Sequence, residues 1–399
     1  ALEYLVDFVE HCGPRQGSHG GEAELELLPL LARRLMLAGP RLPKEPEDLA
    51  KRFRSVVVGR VPSNQRLLLD VSDTEWEDHH DALGPLCEAA LSRGLLVIPK
   101  GWGPSDSSRA TVEAEVAEVL LREIARLLEC LRPAGAVLEK ALTAVLGATE
   151  RPGGLQCALQ GCRELRLFAA ADAADGQERL VSYDELVRCR ERGLLFAVSR
   201  EGTELVRALA NALDRARVLT IGQDMSRLLF GSDVKPCRVD AVAKVLAGDH
   251  APALAEPARR AELLLQCLAG GPLQIDGDLR PALRYLLHGR SDLRHTGTPL
   301  YVPGEASDRH LWAKVARLAL EAQGGGCQVP PELDKQLSPE WRGNLGVTAM
   351  DREGAIDRVR EAGPERLDFG EFAYDELDQL VLEWPDTDHD LALLRRLRI

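Results

Sequence analysis

Aromatic side chains are scarce in this sequence, since Phe, Trp and Tyr together make up 4% of its 399 residues. Hydrophobic cores must therefore be built from Leu, Ala and Val, a composition that favours helices. Long apolar runs are also absent: none reaches the ~18 residues that a spanning helix needs, so we expect no membrane segment. The first residues, ALEYLVDFVEHCG, lack the basic start of a signal peptide.

Positive charge is in deficit. The formal net charge is −13, with 63 acidic against 50 basic residues. A nucleic-acid surface needs clustered Lys and Arg to replace phosphate counterions. The short Arg pairs, such as Arg33-Arg34 and Arg395-Arg396, are instead typical of solvated helix faces. The charge balance therefore argues against nucleic acid as a partner.

Paired cysteines and glycine-rich cofactor motifs are missing as well. The nine cysteines are scattered, and the closest pair, Cys157 and Cys162, lacks a second pair that could complete a zinc site. Reduced, buried thiols fit a cytoplasmic protein. The sequence contains no GxxxxGK[ST], GxGxxG or GxSxG motif, so we expect no bound cofactor.

Short strand and helix patterns alternate along the chain without a regular crossover length. This indicates an α+β fold with several short strand–helix modules and irregular mixed sheets, rather than one doubly wound sheet. We predict an N-terminal α+β module over residues 1–150, a hairpin–helix–strand module over 151–250 and a mainly helical module with an acidic tail over 251–399. The missing initiator Met and the ending LALLRRLRI suggest a piece of a longer polypeptide.

Two stretches give the clearest local predictions. Residues 109–131 carry an apolar stripe typical of a long helix, and a further helix is predicted over 135–147. A capping box, Ser72 with Glu75, is predicted to open a helix that continues to about Ser92.

The run EDHHD inside that predicted helix contains the most conspicuous candidate site. An Asp-His-His triplet occurs in phosphoesterases that hold two metal ions for attack by water on phosphorus. Such an enzyme also needs upstream carboxylates, and no DxD precedes this run, although Asp70 lies in the predicted strand QRLLLDVS. Adjacent side chains on a helix point about 100° apart. The hypothetical metal set is therefore Asp70, Asp78, His79, His80 and Asp81, against an alternative of an exposed polar helix face.

The segment LRLFAAADAADGQERLVSYDELVRCRERGLLFAVS, residues 165–199, raises a second question. Asp172 and Asp175 are candidate metal ligands, but a calcium loop requires further oxygen ligands in register. Asp-Gly between two apolar runs is a strong hairpin signal, and Ser182 is a suitable N-cap with Glu185 three residues later. We predict strand, Asp175-Gly176 turn, strand, helix and strand.

This segment resembles the repeat segments of very large sacsin-like proteins and their bacterial relatives with Hsp90-type (GHKL) ATPase domains. The shared pattern is an apolar strand at Leu165–Phe168, the Asp175-Gly176 turn, Val181-Ser182 before a helix, and a strand at Leu194–Ser199. The segment TPLYVPGEASDRHLWAKV matches the same pattern less closely. The resemblance implies a chaperone-like or scaffold region of a bacterial stress or defence protein. The Asn-bearing helix and glycine-rich motifs of the ATPase do not occur in this chain, so no catalytic residue is carried over.

The sequence thus predicts a non-catalytic scaffold or chaperone-like region of a larger cytoplasmic protein, whose partners are other proteins or other domains of the parent chain. The alternative is a metal-dependent hydrolase that uses the Asp-His-His run.

Overall fold

The fold is known here from a computed structural model. It describes residues 58, 61, 65–102, 111–130, 135–150, 153–198, 202–231, 234–248, 252–269, 279–290, 297–303, 309–363 and 367–384. The predicted helices of residues 1–38, most of the predicted strand SVVVGRV and the final DLALLRRLRI lie outside the described residues.

The chain has a mixed α+β fold with small parallel and mixed sheets, which confirms the predicted class. Its residues divide into two compact units. Unit 1 comprises residues up to Ala171 together with Glu178–Arg188 and Ile221–Val234, and unit 2 comprises Asp172–Gln177, Cys189–Thr220 and the chain from Lys235 onward. The three sequence-predicted modules stay predictions.

Unit 1 begins with a parallel strand pair. Strand β1 (Arg66–Leu69) pairs with β2 (Leu96–Pro99) in a register that places Arg66 opposite Leu96. Helices α1 (Asp73–Asp78) and α2 (His80–Leu91) form the crossover between them, as parallel strands require. The chain leaves α2 through Gly94, whose φ of 75° suits a residue without Cβ.

Three helices complete the apolar interior beside these strands: α3 (Ala114–Cys130), α4 (Gly135–Ala148) and α5 (Gly153–Gly161). Helix α3 packs against α2, α4 and α5, and its bounds confirm the core of the predicted helix 109–131. Each fully buried aliphatic side chain contributes about 1.5–3 kcal/mol. The large side chains that α3 buries are Leu120, Leu121, Ile124, Leu127 and Leu128.

The next segment is the predicted hairpin. Strands β3 (Arg166–Asp172) and β4 (Glu178–Ser182) pair antiparallel, and α6 (Tyr183–Glu191) follows directly. The hydroxyl of Ser182 accepts a hydrogen bond from the Glu185 amide at 3.2 Å, which confirms the predicted N-cap. Within unit 1, Tyr183 stacks on Phe230 of α8 (Gln223–Phe230) with ring centroids 6.0 Å apart.

Unit 2 contains the short strand β5 (Leu195–Ala197) and α7 (Thr203–Ala212), and it includes Leu219 and Thr220 of strand β6 (Leu219–Ile221). The amide of Leu219 donates to the carbonyl of Leu194 at 3.0 Å. Three more helices follow: α9 (Val239–Ala247), α10 (Pro257–Leu268) and α11 (Leu279–His288). Helix α7 packs against α10, and α9 packs against α11.

The end of unit 2 is built around a parallel three-stranded sheet in the order β8-β7-β9. Its strands are β7 (Leu300–Pro303), β8 (Cys327–Gln328) and β9 (Val347–Met350), and its helices are α12 (Arg309–Ala322), α13 (Pro331–Asp334), α14 (Pro339–Leu345), α15 (Arg352–Ala362) and α16 (Tyr374–Glu383). Helices α12, α15 and α16 share one hydrophobic cluster. Trp312 and Trp384 lie in this cluster with ring centroids 5.8 Å apart.

Candidate functional site

The Asp-His-His run spans two helices instead of lying within one, which corrects the predicted continuous helix. Helix α1 ends at Asp78, His79 adopts φ −112° and ψ 16°, and α2 starts at His80. The predicted capping box is confirmed, since the Ser72 hydroxyl accepts from the Glu75 amide and the Glu75 carboxylate accepts from the Ser72 amide. Helix α1 is therefore capped by side chains at its start and is separated from α2 at His79.

The side chains of this run point to no common centre. His80 Nδ1 lies 3.6 Å from Asp81 Oδ1, and the Asp81 side chain is 94% exposed. Asp70 and Asp78 are exposed, whereas His79 is half-buried. Across the described residues, no three His, Cys, Asp or Glu side chains approach closely enough to hold one metal ion.

Asp70 instead borders a cleft of about 840 Å³ in unit 1. The cleft includes the carboxyl ends of β1 and β2, where Asp70 and Lys100 directly follow their strands. In parallel sheets this edge is the usual position of a ligand site. The remaining lining residues are Arg66, Leu67, Leu68, Ala136, Glu139, Lys140, Thr143, Ala144, Gly147, Ala148, Gly222, Gln223, Asp224, Met225 and Leu228.

Charged side chains of both signs line the cleft, and some of them form contacts that stabilise the fold. Arg66 is 8% exposed and its Nε donates to the Val61 carbonyl at 2.7 Å; burial lowers the pKa of its guanidinium. Lys140 Nζ lies 2.6 Å from Glu75 Oε1. The hydrogen bond from Lys140, helped by the Ser72 amide, lowers the pKa of Glu75 to about 2.

The cleft offers little for nucleophilic catalysis. Among the described residues that line it there is no His, Cys or Ser. The Thr143 hydroxyl in this lining donates to the Glu139 carbonyl at 2.9 Å. A nucleophile needs a neighbouring base or a lowered pKa for activation. The described lining residues therefore do not assemble an activated nucleophile.

The Asp172–Gly176 segment is the turn of the hairpin, as the sequence predicted. Asp172 Oδ1 accepts from the Ala174 amide at 3.2 Å, and Asp175 Oδ1 accepts from the Gln177 amide at 2.8 Å. Gly176 has a φ of 71°, a conformation that favours glycine in tight turns. These carboxylates hold the turn together, and Asp172 also forms an ion pair with Arg217 at 3.2 Å.

Several cysteines are buried thiols with little reactivity. Burial raises the pKa of Cys87, Cys237 and Cys267 to about 12 in each case. The thiolate is the nucleophilic form, so these residues remain neutral near pH 7. They pack as small apolar side chains.

Helix α16 carries the two most exposed large apolar side chains among the described residues of unit 2. Tyr374 is 88% exposed and Leu382 is 84% exposed, far more than the large apolar side chains of the helix that face inward. We define the α16 outer face as the exposed residues Tyr374, Asp375, Asp378, Gln379 and Leu382.

The opposite side of α16 is fixed to the hydrophobic cluster. Leu380 is fully buried there, and the following Trp384 is 5% exposed. Lys314 Nζ donates to Glu376 at 2.9 Å, which lowers the pKa of that carboxyl. Trp312 Nε1 donates to Glu383 at 3.0 Å. The outer face is thus held in place by contacts at both ends of the helix.

Comparison of the chain with protein-family models, with curated proteins and with solved structures finds no match. The resemblance to sacsin-like repeats therefore stays a prediction. None of the helices in the described ranges is long and apolar enough to cross a membrane.

Sequence reasoning missed the α16 outer face and the cleft. The sequence contained a signal for part of the first: in FAYDELDQLVLEW, Leu382 falls outside the stripe formed by Leu377, Leu380 and Val381, whereas Tyr374, seven residues before Val381, lies in line with that stripe. The cleft had no local signal, because its residues come from separate segments of unit 1.

Proposed function

We propose that this chain is a protein-interaction region, of scaffold or chaperone-like type, within a larger cytoplasmic protein. The observation that carries the proposal is the α16 outer face. It places two large apolar side chains in solvent on a helix that is otherwise firmly packed. The partners are other proteins or other domains of the parent chain.

Exposed apolar groups on a rigid element favour binding for an energetic reason. Ordering flexible side chains and loops costs about 0.5–1.5 kcal/mol per side chain on association. The contacts of Lys314 and Trp312 already fix α16 before a partner arrives. Burying Tyr374 and Leu382 then removes apolar surface from water with a smaller ordering cost.

The sequence resemblance supports the same function. Repeat segments of sacsin-like proteins imply a chaperone-like role in bacterial stress or defence proteins. The scattered cysteines fit a reducing cytoplasm, and the high thiol pKa values of the buried ones fit a structural role.

The test is suppression of protein aggregation. A model client is heated in the presence of the purified 399-residue chain, and light scattering is recorded. We expect the wild-type chain to reduce scattering and the Tyr374→Ser/Leu382→Ser variant to lose most of this effect. Leu265→Ser is the matched control, because Leu265 is 49% exposed but belongs to α10.

Equal thermal unfolding curves for all three proteins must accompany the assay, so that a loss of activity is separated from a loss of folding. Suppression by the double variant equal to that of wild type would remove α16 from the proposal. No suppression by wild type would refute the chaperone-like function.

The hydrolase hypothesis makes a distinct prediction. A metal bound at the Asp-His-His run would raise the melting temperature with Mn²⁺ or Zn²⁺, and His79→Ala would abolish the shift. A ligand at 100 times its dissociation constant stabilises by about 2.7 kcal/mol. We expect equal melting temperatures with metal and with EDTA, because the side chains do not converge.

A further inference from the structure

We propose that the α16 outer face binds a basic amphipathic helix of another protein. This inference rests on the proposed function and names the chemistry of the partner. It follows from the spacing of the apolar groups, from the sign of the charges beside them, and from the contacts that engage the inward carboxylates of α16 within unit 2.

The spacing favours a helical partner. Tyr374, Asp378 and Leu382 are each four residues apart and form one ridge along the helix surface. Eight residues at 1.5 Å each place the two apolar ends of the ridge about 12 Å apart. Ridges of this kind pack into the grooves of another helix. A facing helix with apolar residues in two successive turns can contact both ends.

The charge of the face selects a basic partner. Helix α16 contains four carboxylates and no Lys, Arg or His. Two of them are engaged within unit 2, since Glu376 accepts from Lys314 and Glu383 accepts from Trp312. The other two are exposed: Asp375 follows Tyr374, and Asp378 lies between the two apolar ends of the ridge.

An acidic patch disfavours other common ligands. Anionic lipid surfaces and nucleic-acid phosphates are attracted by basic segments and are repelled by carboxylates. On a basic amphipathic helix, Lys or Arg beside the apolar stripe would pair with Asp375 and Asp378. The stripe itself would cover Tyr374 and Leu382. One helix face is smaller than the ~800 Å² per partner of a standard interface, so we expect micromolar affinity.

The experiment measures fluorescence anisotropy with the full 399-residue chain. The probe is a fluorescein-labelled 18-residue peptide with Leu along one helical face and Lys and Arg on its flanks. A second peptide carries Glu in place of every Lys and Arg. Two protein variants are compared with wild type: Asp375→Asn/Asp378→Asn, and a control that removes two exposed carboxylates from other helices, Asp240→Asn/Glu262→Gln.

We expect the basic peptide to bind and the acidic peptide not to bind. The Asp375→Asn/Asp378→Asn variant should weaken binding about twofold to thirtyfold, the range for two exposed ion pairs. Its affinity should also depend less on salt, because screening acts on those pairs. The control variant should bind as wild type does.

Equal binding of both peptides, or equal losses in the two variants, would overturn the inference. Absence of binding would overturn it too. If the basic peptide does not bind while aggregation suppression still depends on Tyr374 and Leu382, only the inferred chemistry of the partner is wrong. If both assays fail, the proposed function fails with it.

Discussion

Gly354 should be irreplaceable in α15, although alanine is normally the better helix residue. A Cβ at this position would lie 2.1 Å from the main-chain carbonyl oxygen of Ala349 in β9, a distance below 3.0 Å that real Cβ atoms essentially never show. The Gly354 amide also donates to the N-cap carboxylate of Asp351 at 2.9 Å. Substitution therefore forces α15 away from β9 and disturbs the cap.

The magnitude follows from three contributions. Overpacking against main chain costs about 1–3 kcal/mol, and a loosened N-cap costs about 1 kcal/mol more. The greater helix propensity of alanine offsets about 1 kcal/mol of this destabilisation. Gly354→Ala should therefore destabilise unit 2 by about 1–3 kcal/mol. For a unit of this size, the melting temperature should fall by about 2–4 °C per kcal/mol.

Gly343→Ala provides the matched control, because no heavy atom lies within 4 Å of a Cβ at that position in α14. There the gain in helix propensity should appear alone, as a stabilisation of up to about 1 kcal/mol. Urea unfolding followed by circular dichroism measures both variants. A Gly354→Ala protein as stable as wild type, or changes of the same sign in both variants, would refute the packing argument.

Three further predictions concern other parts of the chain. Cys157 is exposed and should react with a thiol reagent in the folded protein. Cys237 is buried, and burial raises its pKa to about 12, so it should react only on unfolding. Labelling of both thiols at the same rate would contradict the burial of Cys237. The Lys140 hydrogen bond lowers the pKa of Glu75 from 4.5 to about 2. The stabilisation that Glu75 gives should therefore be complete above pH 4.5 and disappear as the pH falls toward 2. A difference in unfolding free energy between wild type and Glu75→Gln that does not change with pH would disprove this. Arg284 donates to two main-chain carbonyls, so Arg284→Lys, with one compact ammonium, should lower the free energy of unfolding by about 1–2 kcal/mol, as urea titration can show.

Local signals predicted the hairpin segment closely. Asp175-Gly176 lies between two apolar runs, and the structure places the turn there with strands on either side. The Ser182 cap and the start of α6 also match. Such features depend on residues a few positions apart, and a single sequence contains them in full.

The break at His79 shows where local reasoning failed. Polar and apolar residues continue with helical spacing from Ser72 to Ser92, so the pattern predicts one helix. In the structure, α1 ends at Asp78 and α2 begins at His80. The buried Trp76 of α1 lies against Trp102 with ring centroids 5.7 Å apart, a contact with a distant residue that the local pattern does not contain.

The sequence by itself determined the mixed fold class, the amphipathic helices, the caps and the hairpin turn, because propensity, periodicity and short hydrogen bonds act over a few residues. Tertiary structure decided which charges are engaged and which face solvent. Glu376 reaches Lys314 across 62 residues, while neighbouring Asp375 stays exposed. The same docking of α16 buries Leu380 and leaves Tyr374 and Leu382 outside, since a helix packed on one side must present its other side to water or to a partner.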